Sequence, residues 1–179
     1  MLARIALVWA VVYLAAGALQ HRAALATGQD LAASRGHTPI RLEVKPSFGN
    51  LLVWKIVYET DDRFYVDAMR ANILPRVFEG TSIPKLDLAR DLPWLDPTSQ
   101  QAPDVERFRR FSNGYLALDP ERADRIVDVR YSFLPNTISA LWSVELTPGA
   151  PPDAHVHYRT HREHARESFG ALWRMATGD

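Results

Sequence analysis

The chain has 179 residues, 47% of them hydrophobic, with 21 Lys+Arg against 21 Asp+Glu. This balance leaves no basic excess to hold a phosphate backbone, which argues against nucleic acid as a partner. The absence of cysteine removes disulfide frameworks, thiolate catalysis and cysteine-based zinc sites together.

The first element runs from Ile5 to Leu19 without a charged side chain. Such a helical run reaches about 22 Å at 1.5 Å per residue, short of the roughly 30 Å hydrocarbon core of a bilayer. Leu2 and Ala3, with Arg4 snorkelling outward, and His21 and Arg22 beyond close most of that gap. The rival reading is a signal peptide: Met1–Arg4 as positive region, Ile5–Ala15 as apolar region, Ala16-Gly17-Ala18 as cleavage motif. A soluble buried helix fits less well, because the apolar residues go all the way round. From Gln20 to Arg35 the chain stays rich in helix formers but becomes amphipathic, with Leu19, Ala23, Ala26 and Leu31 on one side and Gly36 as a stop. That pattern favours a transmembrane helix continuing into an amphipathic one over residues 1–36, ahead of an extramembrane domain over 37–179. The flanking charges leave membrane orientation open.

Alternation of period 2 then predicts strands. Ile40, Leu42 and Val44 form the first; Leu52, Trp54, Ile56 and Tyr58 the second; Phe64, Val66 and Ala68 the third, after Asp61-Asp62. Later come Tyr115–Leu118, then Val127, Val129, Tyr131 and Phe133, then Ala140, Trp142, Val144 and Leu146. Each is expected to bury one face, in a mainly antiparallel sheet of five or six strands. Between them, Leu74–Pro103 carries five prolines and reads as irregular, either a packed surface segment or a lid over a groove. The segment Arg159–Met175 is expected to be helical, with Ala165, Phe169, Leu172, Trp173 and Ala176 as one stripe covering one face of the sheet. The fold class is therefore α+β: a transmembrane helix, an antiparallel sheet, and a C-terminal helix packed on it.

Three constellations could carry chemistry. On the expected C-terminal helix, His157, His161 and His164 fall at i, i+4 and i+7, where two imidazoles can hold a divalent metal such as zinc. The spacing H-Y-R-T-H supplies no general base between them, and Arg159, Arg162 and Arg166 oppose a dication. Asp128 and Arg130, two apart on one strand, could orient a substrate or form a structural pair. Ser112-Asn113-Gly114 lacks the G-x-S-x-G elbow and reads as a turn.

Three stretches together carry a resemblance: Pro46-Ser47-Phe48-Gly49-Asn50-Leu51-Leu52-Val53-Trp54, Arg110-Phe111-Ser112-Asn113-Gly114-Tyr115, and Asp128-Val129-Arg130-Tyr131. In this order, behind an apolar helix and ahead of Leu172-Trp173-Arg174, they resemble the C-terminal part of the YdjM/YbcI-like, LexA-regulated, membrane-bound metal-dependent hydrolases of the bacterial inner membrane. The resemblance makes Asp128 and Arg130 candidate catalytic residues and Asn50 and Trp54 candidate substrate-binding residues, with Trp54 better explained as core. In that family the presumed His and Asp metal ligands lie in an N-terminal multi-helix membrane half. Here one apolar helix precedes the domain and the first histidine is His21, so no family ligand carries over. The expectation is a membrane-anchored domain that packs against, or completes, a multi-helix membrane partner. The alternatives are metal-assisted hydrolysis at the C-terminal histidines and a secreted or periplasmic binding domain.

Overall fold

A single helix, α1 (Leu2–Ser34), carries the apolar and the amphipathic stretch without a break. This is the computed structural model of the chain, which describes residues 1–72, 75–162 and 165–178. Residues 1–16 of α1 are exposed on every side, and the helix is long and apolar enough to cross a membrane. Its second half lies on the domain. There Ala24, Gly28 and Ala32 form a buried stripe of small residues. A Cβ at Gly28 would sit 2.9 Å from Leu42 Cδ1 and 3.0 Å from Ile56 Cγ2, so glycine permits the close approach of helix to sheet.

The helix rests on a four-stranded antiparallel sheet, β1 (Arg41–Pro46), β2 (Val53–Glu59), β3 (Arg63–Arg70) and β4 (Arg76–Pro84), in that spatial order. A segment bearing α2 (Leu88–Asp91) and α3 (Gln101–Phe111) then carries the chain to a second antiparallel sheet. It contains β5 (Leu116–Asp119), β6 (Arg122–Asp128), β7 (Trp142–Glu145) and β8 (His157–Thr160), again in sequence order. The helix α4 (Ala165–Thr177) follows. The α+β class stands, but the expected single sheet of five or six strands is two sheets of four.

Four layers result. Trp54, Ile56 and Met69 of the first sheet, together with Val44, face α1 and meet its Ala24. Val57, Phe64 and Val66 face the second sheet and meet Tyr115, Ala117 and Val127. On the far side of the second sheet, Leu116, Ile126 and Val144 meet Val105 and Phe108 of α3 and Leu86 and Leu92 of the preceding segment. β2 is therefore buried on both faces, not one. That is the signature of a strand inside a layered stack.

The proline-rich stretch is not irregular throughout. Nine residues of it form β4, which lies at a sheet edge, where proline is tolerated, and has Pro84 as its last residue. The C-terminal helix begins later than expected, because His157–Thr160 pair with β7 as an edge strand. Leu172 and Met175 of α4 pack on Val53 and Ala68, whereas Phe169 and Trp173, placed on the same stripe by spacing, are exposed.

Candidate functional site

β6 ends at Asp128, and the chain turns directly into Arg130. Asp128 Oδ1 accepts the Arg130 backbone N–H at 3.0 Å, and the guanidinium closes on both carboxylate oxygens at 3.0 and 2.7 Å. A further bond from Arg130 Nη2 to the Phe111 carbonyl (2.9 Å) ties this turn to the end of α3. Asp128 is fully buried. Burial pulls the Arg130 guanidinium toward the neutral form, but the Asp128 carboxylate overrides it and holds it above its ordinary value. The pair expected on a strand's polar face is thus an internal clamp, with the carboxylate's lone pairs already engaged.

A second polar group lies nearby that strand alternation assigns to solvent. Lys55, on the face of β2 turned toward the second sheet, is buried. Its Nζ donates to Ser132 Oγ and to the Thr137 carbonyl, both at 2.8 Å. Burial lowers the amine to about 7, with the Asp128 charge opposing the shift. A near-neutral lysine beside a serine hydroxyl is the chemistry of a Ser–Lys nucleophile pair. Here the Ser132 hydroxyl donates to the Leu134 carbonyl at 2.7 Å and is itself buried, so it is oriented to hold the 132–137 loop and not to attack a substrate. The one sequence clue was a lysine inside the apolar run Val53–Tyr58.

The histidines do not share a helical face. His157 lies on β8 and is exposed, and His161 follows the strand; His164 falls outside the described residues. Four extended residues separate positions by roughly 13 Å, too far for two imidazoles on one strand to share a zinc ion. His161 Nε2 instead meets Ser143 Oγ at 2.7 Å, and among the described residues no three His, Asp or Glu side chains converge as a metal site would require. His155, at the start of the same histidine group, bonds through Nδ1 to Asp104 at 2.7 Å. Asp104 is wholly buried on α3, also takes the Val156 N–H and Arg107, and so pins the strand-entry loop. Burial raises its carboxyl, but the His155 and Val156 bonds outweigh that and hold it below the ordinary carboxylate range.

Asn50 sits in the β1–β2 turn with its amide fully used. Oδ1 accepts from Leu52 and Val53 N–H groups at 2.9 Å each, and Nδ2 donates to Ser47 Oγ (2.9 Å) and the Phe48 carbonyl (3.2 Å). Trp54 is buried against α1; its indole N–H donates to Leu51 O at 2.7 Å and its ring meets His21 edge-on. Both are engaged inside the fold. The second and third motif stretches meet through the Arg130–Phe111 bond, and Phe48 of the first lies 5.6 Å from Phe133, two residues beyond the third.

Two apolar clefts open beside this clamp. One, of about 320 Å³, runs between α3 and the β7–β8 edge and is walled by Phe108, Phe111, Trp142 and Tyr158. The other, of about 340 Å³, lies on the opposite side of Trp142 against Phe48 and Phe133. Arg107 and Arg159 rim the first and Arg162 the second. Such clefts suit flat or extended apolar groups carrying negative charge. Comparison with protein-family models, with curated proteins and with solved structures finds no match.

Proposed function

We propose that this chain is a membrane-anchored domain that packs against, or completes, a membrane partner and supplies no catalytic centre of its own. The observation that carries the reading is α1: one unbroken helix whose first half is bare and apolar and whose second half is docked on the sheet. Beyond Ala18 the same helix stays fastened to the fold, by Gln20 to the Ala71 carbonyl and Arg35 to Asp67, so the bare half leaves the domain as its direct continuation. The internal engagement of Asp128, Arg130, Lys55 and Asn50 supports a scaffold in preference to a reaction centre. The resemblance to the C-terminal part of membrane-bound metal-dependent hydrolases supplies the kind of partner: a multi-helix membrane protein bearing the metal ligands.

Membranes from cells producing the full chain, washed with alkaline carbonate, test the anchor. The expected result is retention in the pellet at the intact mass of 179 residues. Release into the supernatant, or a mass lacking the residues up to Ala18, refutes it. Zinc uptake by the purified chain is expected to be substoichiometric; one tightly held zinc per chain would move the assignment to metal-assisted hydrolysis.

A further inference from the structure

The contacts of α1 define which end of the domain faces the bilayer. Leu51 lies against Gly17, the His21 ring lies 5.8 Å from that of Trp54, Ile56 lies against Gly28, and Arg35 reaches Tyr58. The helix thus runs alongside β2 in the same direction. The β1–β2 turn (residues 47–52), the last residue of β3 and the first of β4, paired as Arg70 with Arg76, lie at the end from which the bare half departs. α4 seals the same end, with Leu172 and Met175 on Val53 and Ala68 and Gly178 against the Arg70 guanidinium.

Two features of that end are unusual for a surface meeting water. Phe48 and Leu52 on the first turn and Phe169 and Trp173 on α4 are large, apolar and exposed. In addition, the β1–β2 turn, residues 47–52, has no acidic side chain and Arg76 is exposed at the start of β4, whereas the opposite hairpin turn carries Asp61 and Asp62. Length supplies an independent reason. Spanning about 30 Å of hydrocarbon takes roughly twenty helical residues. Counted from Leu2, the twentieth is His21, already packed on Trp54. The bare half alone, Leu2–Ala16, reaches only about 22 Å. The shortfall of about 8 Å is the depth to which an apolar protein face settles into the headgroup and acyl boundary.

We propose that this end of the domain rests in the surface of an anionic bilayer, with Phe48, Leu52, Phe169 and Trp173 in the interfacial layer and Arg76 against lipid phosphates. The proposal rests on the anchor reading above and makes the domain part of the membrane contact instead of a body held clear of it.

The chain contains no cysteine, so single labels are clean. The full chain is reconstituted in phosphatidylcholine–phosphatidylglycerol vesicles, with an environment-sensitive fluorophore at Phe48→Cys, Trp173→Cys, Leu14→Cys or Asp61→Cys, and bromolipid is added as quencher. Near-UV circular dichroism confirms that each variant is folded. Loss of most of the emission at Leu14→Cys, Phe48→Cys and Trp173→Cys, with none at Asp61→Cys, is the expected result. Quenching at Leu14→Cys with Phe48→Cys and Trp173→Cys as bright as Asp61→Cys overturns the proposal while leaving the anchor intact. No quenching at Leu14→Cys removes the anchor and the proposal together. Adding Arg76→Glu is expected to reduce quenching at Phe48→Cys in anionic vesicles but not in pure phosphatidylcholine; equal quenching in both refutes the anionic-lipid contact.

Discussion

Lys55 offers the sharpest test of how the two sheets pack. Its amine has two acceptors, Ser132 Oγ and the Thr137 carbonyl, which match the two N–H groups of a neutral amine. In the unfolded chain the group titrates at 10.5; in the fold burial lowers it to about 7. Between those values the unfolded state binds the proton and the folded state does not, so stability rises as pH rises. The slope is about 1.4 kcal/mol per pH unit, or roughly 4–5 kcal/mol across the whole window. Below about pH 7 both states are protonated and the penalty of charging a buried amine is constant and complete. Lys55→Met removes the slope and leaves the Thr137 carbonyl short of a donor, a cost of about 1–3 kcal/mol. The two stability curves are therefore expected to cross, the variant being the more stable near neutrality and the wild type near pH 10. Denaturant unfolding of the full chain in detergent, followed by near-UV circular dichroism at a series of pH values, measures both curves. Taking their difference cancels Tyr58 and Tyr115, whose phenols burial raises. Parallel curves from pH 7 to 10 would falsify the buried neutral lysine.

Other substitutions probe the remaining supports. Gly28→Leu, driven into Leu42 and Ile56, is expected to cost about 1–3 kcal/mol; hydrogen exchange over residues 20–35 should accelerate, and unchanged protection would mean that the helix is not closely docked. Asp67→Ala strands the Arg35 guanidinium, bonded at 2.6 and 2.9 Å, and leaves the Gly80 N–H without its acceptor. A loss of about 1–3 kcal/mol in denaturant unfolding is expected, because the part-exposed Arg35 can turn to water while the Gly80 N–H loses its acceptor. Asn50→Ala is expected to cost about 1–2 kcal/mol, with Asn50→Asp recovering part of it by keeping the acceptor for Leu52 and Val53. If Asn50→Ala leaves the midpoint unchanged, the residue is free for a ligand after all.

The strands legible in the sequence are those with one polar and one apolar face, or nearly so: β1, β3 and β7 show through alternation, whereas the alternation from Val127 to Phe133 misplaces β6, which runs over Arg122–Asp128 and ends in a turn at Val129 and Arg130. β2 was found but misjudged, since Lys55 and Glu59 look like solvent-facing positions until the second sheet covers them. Glu59 survives there because Arg41 and Lys85 close on it at 2.6 and 2.5 Å. Nothing local signals a partner 26 residues away. β4 was hidden by its prolines, which an edge strand accommodates. α3 was missed because the charged run through Arg107, Arg109 and Arg110 masks Val105 and Phe108, the two residues that face the core. β8 is exposed throughout and carries no period, so its histidines took on a helical spacing they do not have. The candidate site is the least legible part, because the fold turns Asp128 and Arg130 on each other and spends the Asn50 amide on its own turn.

The docked half of α1 also bears on what any membrane partner would meet. A flexible linker after an anchor would let the domain present every face in turn. Here the helix is held at both ends of its contact, by Gln20 on the Ala71 carbonyl at 3.2 Å and by Arg35 on Asp67. Those fastenings are fifteen residues apart, a lever of about 22 Å along the helix. Between them Ala24, Gly28 and Ala32 leave no side-chain bulk about which the helix could roll. Rotation of the domain about α1 therefore requires breaking the Arg35–Asp67 ion pair and opening an apolar interface together. Each side of the bare half of α1 is therefore locked to one face of the domain, so a second protein that packs on a given side of that half meets a given face of the domain and not an average of all of them.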